Sequence, residues 1–235
     1  MEHLFSTKDA AGYGMLDAAD RCGAQNCYID YLQKLALEKA MVFKQTDVIL
    51  DFGCGVGRLS TWLAHRGHTV YGIDVEAGLL RLAEKHNACT NLEYRLFDGE
   101  TIPFPDSSFD AILCVRVLNR RILPDQKFIP MLAEFYRVLK VSGRVVALEH
   151  VYGREHPLCY RREELLSHCA HQGFLCSAHY PIRSGHWPIL YLIRCGLIPS
   201  RFFPCLAQYE LTKRRFEVEA FFDYKDYFFC FEKKG

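Results

Sequence analysis

The stretch Asp51–Ser60, DFGCGVGRLS, places three glycines at alternate positions, Gly53, Gly55 and Gly57. Glycine is costly inside a strand or a helix, so three glycines this close together indicate backbone that must come very near to something else. The apolar run VIL comes directly before the stretch. The pattern therefore predicts a buried strand that ends in a close-approach turn.

Carboxylates are predicted at the ends of three neighbouring strands, at Asp51, Asp74 and Asp98. At the second strand, Asp74 can accept two hydrogen bonds from ribose hydroxyls. Asp98 can accept from an exocyclic amine, and Asp51 can order the glycine turn or meet a cationic amino group. Singly, each is as well explained as a turn or helix-capping residue. Together they fit a ligand with a ribose, an adenine and a positive centre.

The residues of the glycine turn do not match either of two phosphate-binding motifs. A dinucleotide motif of the G-x-G-x-x-G type needs glycine at position 58, where Arg58 stands. A P-loop needs G-x-x-x-x-G-K-[ST], and the sequence contains no such run. The interpretation that remains is a ligand without phosphates that lies close against the backbone.

Strand and helix patterns alternate over residues 45–175. Such alternation predicts an α/β fold, a Rossmann-like parallel sheet with helices on both faces. The predicted strands are DVILDFG, HTVYGID, NLEYRLFD, SFDAILCVRVL and GRVVALEHVYG, and helices follow each strand except the third. FLCSAHY predicts a sixth strand and DYKDYFFCFEKKG a final one, with a helical insertion between them.

These patterns divide the chain into four segments. Residues 1–44 are interpreted as an N-terminal helical lid, in which Tyr13 and Tyr28 can cover a ligand or simply pack. Residues 45–180 form the core, 181–220 a helical cap insertion, and 221–235 the final strand of the core sheet. We interpret the apolar cap as packed on the sheet, with a substrate wall or a dimer surface as alternatives.

Composition excludes some classes of function. The formal net charge is +1, so no strong field attracts nucleic acid, and no partner of that kind is expected. No apolar run is long enough to cross a bilayer and the N-terminus has no signal-peptide core, so we expect a cytoplasmic protein. The eleven cysteines contain no C-x-x-C pair, so no metal site is expected, and Cys54 is interpreted as a small loop residue.

Residues 45–150 resemble a class I S-adenosylmethionine-dependent methyltransferase of the branch that methylates quinones and other small molecules. VILDFGCGVGRLSTWLAHRGHTVYGIDV is similar to the first two motifs of that family, FDGETIPFPDSSFDAILC to the stretch leading into the fourth strand, and MLAEFYRVLKVSGRVVALEH to the helix and fifth strand. The resemblance implies a seven-stranded, mostly parallel sheet of order 3-2-1-4-5-7-6, with the seventh strand antiparallel.

The resemblance also implies the cofactor S-adenosylmethionine, with S-adenosylhomocysteine as product. It implies that the three glycines line the methionine and ribose part, that Asp74 binds the ribose and that Asp98 binds adenine beside Gly99. Residues 114–116 would pass beneath the sulfonium. The candidate cofactor-binding residues are Asp51, Gly53, Cys54, Gly55, Gly57, Arg58, Asp74, Val75, Asp98, Gly99, Cys114, Val115 and Arg116.

The segment after the fourth strand departs from the family pattern. Many relatives carry a histidine there, whereas this chain has VRVLNRRILPDQ. Its arginines can form a site for a carboxylate, phosphate or sulfate on the substrate, or a solvated loop. The candidate substrate-binding residues are Arg116, Asn119, Arg120, Tyr152, Tyr160 and Trp187.

His150, in LEHVYG and predicted to lie just past the fifth strand, is the candidate general base, because imidazole accepts protons near neutrality. The alternative is a hydrogen-bonded histidine at a strand end. The predicted function is methyl transfer from S-adenosylmethionine to an oxygen or nitrogen of a small molecule, by a monomer or homodimer without integral membrane association. Methylation of a protein or peptide, or a non-catalytic regulatory subunit that binds the cofactor, are the alternatives, and the missing third glycine disfavours an NAD-dependent reductase.

Overall fold

The computed structural model describes residues 20, 23–152, 155–184, 188–213 and 224–234. Its strands form one seven-stranded sheet of order β3-β2-β1-β4-β5-β7-β6. The first five strands pair in parallel, and β7 runs antiparallel to both β5 and β6. The predicted sheet order and the antiparallel seventh strand are therefore confirmed. The strands are β1 (Val48–Phe52), β2 (Thr69–Asp74), β3 (Leu92–Leu96), β4 (Phe109–Val115), β5 (Leu139–Tyr152), β6 (Phe174–Ser184) and β7 (Tyr224–Lys233).

Helices follow the strands and pack on both faces of the sheet, as the alternating pattern requires. A short 3-10 helix, Ser200–Phe202, precedes the last of them. The helices are α1 (Ala24–Ala40), α2 (Arg58–Ala64), α3 (Ala77–His86), α4 (Asp125–Val138), α5 (Arg162–His171), α6 (Pro188–Arg194) and α7 (Phe203–Lys213).

Two apolar layers enclose the sheet. The first joins β7 side chains such as Phe229 to α4 and α5, with Phe135 of α4 packed edge-on against Phe52 at 4.8 Å between ring centroids. The second joins the opposite β7 side chains, such as Phe228, to α1, α2, α6 and α7. Since side chains alternate across a strand, one strand supplies both layers.

Several predicted element bounds differ from the structure. The helix before the glycine turn ends at Ala40, because Met41 adopts a left-handed φ of 49°. β3 ends at Leu96, so Asp98 lies two residues beyond the strand rather than closing it. β5 begins already at Leu139, and β6 continues to Ser184, past the start at 181 that was predicted for the cap.

Helices α6 and α7 lie in the insertion between β6 and β7. Their inward residues include Leu190, Ile193, Phe203 and Ala207, which join the second apolar layer. Tyr28 of α1 is fully buried and meets the Phe203 ring edge-on, with 5.2 Å between ring centroids. The N-terminal helix and the insertion thus cover the same face of the sheet. Tyr13 lies outside the described residues.

Among the residues that the structure describes, no helix combines the length and the apolar character needed to cross a bilayer.

Phe135→Ala tests the first apolar layer. The side chain is fully buried, so truncation should lower the free energy of unfolding by about 3–5 kcal/mol through lost burial and a residual cavity. The matched control is Ile129→Ala on the same helix, where the side chain is 41% exposed and the expected loss is about 1 kcal/mol or less. Urea unfolding followed by circular dichroism measures both. Equal losses in the two variants would contradict the layer as described.

Candidate functional site

The glycine turn leaves β1 and reverses sharply at the carboxyl edge of the sheet. Gly53 and Cys54 both donate their backbone N–H to the Ile73 carbonyl of β2, at 2.8 and 3.0 Å. Gly53, Gly55 and Gly57 all have positive φ angles, of 72°, 57° and 79°. Side chains disfavour that backbone region, so the conformation itself requires glycine.

The three glycines face different surroundings. A Cβ on Gly53 would lie 2.4 Å from Val117 Cγ1, and one on Gly57 would lie 1.9 Å from the Tyr94 hydroxyl oxygen. A Cβ on Gly55 would meet no atom within 4 Å. The outer two glycines therefore allow close packing within the protein, whereas Gly55 borders open space that a ligand can enter.

Asp74, the last residue of β2, is joined to the turn. Its Oδ2 accepts the Gly55 N–H at 2.9 Å, and its Oδ1 accepts the Glu76 N–H at 3.0 Å. The carboxylate thereby lies beside the open side of Gly55. It still has the lone pairs to accept hydrogen bonds from two neighbouring hydroxyls.

A second carboxylate lies just beyond the end of β3. Asp98 Oδ1 accepts the N–H groups of Glu100 and Thr101, at 2.8 and 2.9 Å, and these backbone hydrogen bonds hold the pKa of Asp98 below its usual value. Gly99 beside it has a φ of 85°, and a Cβ there would lie 3.7 Å from Val75 Cγ1. Val75 itself is 60% exposed. An acceptor and an apolar side chain thus border one exposed slot.

Other predicted cofactor residues are engaged inside the protein. Asp51 is buried and accepts the Ser60 hydroxyl at 2.5 Å; burial raises the pKa of Asp51 to about 6. The Arg58 guanidinium binds Asp30 and donates to Gln33 Oε1 at 2.7 Å, which ties α2 to α1. Burial raises the pKa of the Cys54 thiol well above its ordinary value, so this thiol is a poor nucleophile.

The end of β4 lies beside the end of β1, from which the glycine turn departs. Cys114 is fully buried and lies opposite Phe52 of β1. Val115 is the last residue of the strand, and Arg116 follows it with a φ of 61°. A positive φ is uncommon in a residue with a side chain, and it directs the chain out of the sheet at this point.

Glu149 of β5 fixes the loop that follows Arg116. Its Oε1 accepts the N–H groups of Val117 and Leu118, at 2.7 and 2.8 Å. The carboxyl group is buried, and burial raises the pKa of Glu149 to about 8 although both N–H groups favour the ionised form. Because Val117 packs against Gly53, this buried acid connects β5 to the glycine turn through one loop.

Three predicted substrate residues hold the loop between β4 and α4. The Asn119 amide donates to the Arg116 carbonyl at 2.8 Å and accepts the Ile122 N–H at 3.2 Å. The Arg120 guanidinium contacts Asp125 and Glu164 and lies over the Tyr160 ring, 4.4 Å from its centroid. The Tyr160 hydroxyl donates to the Leu123 carbonyl at 3.0 Å. These contacts support the loop itself.

Two further substrate residues, Tyr152 and Trp187, are predicted from the sequence. Tyr152, at the end of β5, stacks on His156 with ring centroids 4.0 Å apart. Trp187 lies outside the described residues.

His150 lies between a carboxylate and a guanidinium. Its Nε2 is 2.8 Å from Asp226 Oδ1, and its Nδ1 is 3.3 Å from an Arg116 guanidinium nitrogen. Burial lowers the pKa of His150, and the Asp226 carboxylate opposes that effect. A lowered pKa favours the neutral imidazole, which is the form that can accept a proton.

The comparisons with known proteins concern the family and the fold. Residues 50–147 match the family described as "Methyltransferase domain". The chain is 40% identical over 109 residues to a demethylmenaquinone methyltransferase of Tropheryma whipplei (strain Twist), which is 45% of this chain and 43% of that protein. It is 35% identical over 101 residues to a ubiquinone biosynthesis O-methyltransferase of Pseudomonas fluorescens (strain Pf0-1), 41% of each chain. The matched segments thus span less than half of these relatives.

Solved structures extend the likeness to nearly the whole fold. The crystal structure of the [4+2]-cyclase SpnF superposes with a TM-score of 0.64 at 20% identity, covering 87% of this chain and 81% of that one. Phosphoethanolamine N-methyltransferase 2 of Haemonchus contortus, in complex with S-adenosyl-L-methionine, superposes with a TM-score of 0.64 at 16% identity, covering 94% and 61%. At these identities the likeness concerns the fold alone, and the fold hosts more than one chemistry.

Residues 50–147 therefore match a methyltransferase domain, and the sheet order and the glycine turn agree with the resemblance to class I S-adenosylmethionine-dependent methyltransferases. The curated relatives that it matches include enzymes named for demethylmenaquinone and for ubiquinone biosynthesis. The residues present fit the cofactor of the class, because open space at Gly55 adjoins Asp74, and an exposed acceptor, Asp98, lies at the next strand end.

Four residues at the site escaped sequence reasoning. Tyr94 lies opposite Gly72 in the β2–β3 register and fills the space behind Gly57, a large-small pair that the two strand sequences contain. Glu149 is an acid inside the apolar strand VVALEHV, which is itself a signal of a paired or titrating group. Arg183 and Asp226 carry no comparable local signal, because only the sheet order brings them together.

Glu149→Gln tests the buried acid. The folded protein retains a proton on Glu149 that the unfolded chain releases, so raising the pH favours unfolding of the wild type. Between about pH 6 and pH 8, the wild type should lose about 2 kcal/mol of unfolding free energy relative to Glu149→Gln. Urea unfolding at several pH values measures the difference.

The control for this series is Glu163→Gln, at a side chain that is 63% exposed and whose pKa is lowered. It should show no pH-dependent difference from the wild type over the same range. A constant difference between wild type and Glu149→Gln would show that Glu149 is ionised in the folded protein throughout.

Proposed function

We propose that the protein transfers the methyl group of S-adenosylmethionine to an oxygen or nitrogen of a small molecule. The observation that carries the proposal is the open space at Gly55, whose N–H is bound by Asp74, within a segment that matches a methyltransferase domain. The names of the relatives, which include a ubiquinone biosynthesis O-methyltransferase, support an acceptor of small-molecule size.

Cofactor binding is assigned to the carboxyl edge of β1, β2 and β3. Asp74 accepts the ribose hydroxyls, Asp98 accepts the adenine amine, and Val75 and Gly99 flank the ring. Backbone of Gly53, Gly55 and Gly57 lines the methionine part. Asp51, Cys54 and Arg58 hold the turn in shape, and residues 114–116 form the floor toward the acceptor.

When bound, the cofactor supplies an electrophilic methyl group on a sulfonium. The protein must bring the acceptor atom into line with that methyl–sulfur bond and take up the proton that an O–H or N–H acceptor loses. His150 takes this proton on Nδ1, since Nε2 is occupied by Asp226. The acceptor must displace the Arg116 guanidinium from Nδ1, and Arg116 then remains close enough to stabilise negative charge on the acceptor.

Asp74→Ala tests the cofactor site. Removing a charged hydrogen-bond acceptor should weaken S-adenosylhomocysteine binding about 10- to 100-fold, measured by isothermal titration calorimetry. His150→Ala should bind with nearly wild-type affinity, because His150 is assigned to the acceptor. The matched control Asp106→Ala removes a carboxylate that is 76% exposed and pairs with Arg137. Unchanged binding by Asp74→Ala would reject the assignment of the ribose site.

Methyl-labelled S-adenosylmethionine tests the reaction. The purified protein is incubated with a cell extract fractionated into polar metabolites, lipids and proteins, and label is expected in one small-molecule fraction. His150→Gln should then lower turnover about 10²- to 10⁴-fold with the KM for the cofactor unchanged.

Three other outcomes are informative in this assay. Label in the protein fraction would replace the proposal with a protein or peptide methyltransferase. Cofactor binding without any label would leave two explanations, a substrate missing from the extract or a regulatory subunit that binds the cofactor. Full turnover by His150→Gln would remove His150 as the base.

A further inference from the structure

Four ionisable side chains lie in a row across four neighbouring strands. His150 of β5 is directly opposite Asp226 of β7, and Asp226 is directly opposite Arg183 of β6. Arg116 at the end of β4 completes the row on the other side of His150. A β-bulge between Pro181 and Arg183 shifts the register of β6 and brings Arg183 opposite Asp226.

The two oxygens of Asp226 have different partners. Oδ2 accepts from two guanidinium nitrogens of Arg183, Nε at 2.7 Å and Nη2 at 2.6 Å. Oδ1 lies 2.8 Å from His150 Nε2. Burial by itself would raise the pKa of Asp226, but Arg183 and His150 hold it well below its usual range. The carboxylate is therefore ionised, and Arg183 fixes its orientation.

The partners of His150 determine where its proton is. An ionised carboxylate cannot donate a hydrogen bond, so the 2.8 Å contact with Asp226 Oδ1 favours a proton on Nε2, although the N–H is not in line with that oxygen. A guanidinium can only donate, so Nδ1 must carry the lone pair that faces Arg116. Both neighbours select the same neutral tautomer. The nitrogen that faces the end of β4 is the one able to accept a proton.

We propose that Asp226 and Arg183 are positioning residues that hold His150 in the tautomer with a basic Nδ1 directed toward the acceptor. The inference rests on the proposed function for its catalytic meaning, but the tautomer is a property of the protein alone. Arg183 orients the carboxylate of Asp226, and the carboxylate orients the imidazole. Neither residue touches the reacting atoms.

The row also explains why the last strand of the sheet contributes to a site at the ends of β4 and β5. Arg183 and Asp226 are only 4% and 5% exposed. Burying a salt bridge has a large desolvation cost, and a pair of apolar residues would often stabilise the sheet equally well. Stability alone does not account for this buried ion pair, whereas orientation of His150 does.

Histidine-labelled full-length protein tests the inference without a substrate. Long-range proton–nitrogen correlation spectra distinguish the two neutral tautomers of each imidazole, and His150→Gln assigns the signal by its loss. At pH 7 we expect the wild-type signal to show protonated Nε2 and bare Nδ1. Charged groups that bear on this signal are Asp226 of β7, Arg183 of β6 and Arg116 after β4.

Asp226→Asn should change the tautomer population, because an amide can donate to Nε2 as well as accept from it. It should also lower the pKa of His150 further, since the opposing negative charge is gone. The matched control Asp110→Asn removes a carboxylate that binds Lys140 and the Val48 N–H at the other end of β4, and it should leave the His150 signal unchanged. Circular dichroism verifies folding of each variant.

Arg183→Gln provides a second route if Asp226→Asn does not fold. It keeps the carboxylate but removes the group that orients it, so a broadened or mixed His150 tautomer is expected. A wild-type signal with the proton on Nδ1, or a His150 signal unchanged in Arg183→Gln and in any folded Asp226→Asn, would overturn the inference.

Turnover separates this inference from the proposed function. With label transfer established, Asp226→Asn should lower kcat about tenfold or more at unchanged KM for the cofactor. If the wild type shows the expected tautomer but His150→Gln is fully active, the positioning of His150 stands and its role as the base is rejected. A disturbed tautomer with wild-type turnover in Asp226→Asn would reject the catalytic meaning of the row.

Discussion

Both faces of the central sheet are buried, and this burial limits where the protein can hold charge. Apolar layers cover the two sides, so an ionisable group inside must be paired, protonated or placed at a strand end. All three solutions occur near the site. Asp226 is paired with Arg183, burial raises the pKa of Glu149 to about 8, Asp74 ends β2, and Asp98 lies just beyond the end of β3. The buried ionisable groups near the site are therefore paired or protonated, whereas the carboxylates assigned to the ligand lie at the carboxyl edge of the sheet.

Two neighbouring residues of β5 contact the two parts of the proposed site, the cofactor-binding turn and the candidate base. Glu149 holds the loop that begins at Val117, and Val117 occupies the space that a side chain on Gly53 would need. On the neighbouring position of β5, His150 points to the opposite face of the sheet, toward Asp226. Two adjacent residues of one strand thus serve two halves of the site, because successive side chains alternate between the faces.

Different parts of the site were accessible to sequence reasoning to different degrees. The glycine turn and Asp74 follow from local pattern, since a strand, three alternating glycines and an acid at the next strand end are all visible in the chain. The prediction for the arginine-rich loop was less informative. Arg120 and Asn119 are engaged in holding the loop itself, and nothing in the local sequence distinguishes an arginine that supports a loop from one that meets a ligand. Their assignment to substrate binding stays a prediction.

Hydrophobic periodicity and glycine conformational preference act over a few residues, so the class of fold and the location of the glycine turn follow from the local sequence. Which charged side chains meet depends instead on how distant strands pair. Asp226 and His150 are far apart in the chain, and they are neighbours because β7 inserts antiparallel between β5 and β6. Register between distant strands depends on packing of the whole sheet, so a shift by one residue would turn Asp226 to the other face. For that reason the candidate base is visible in the sequence, whereas the residues that orient it are visible only in the fold.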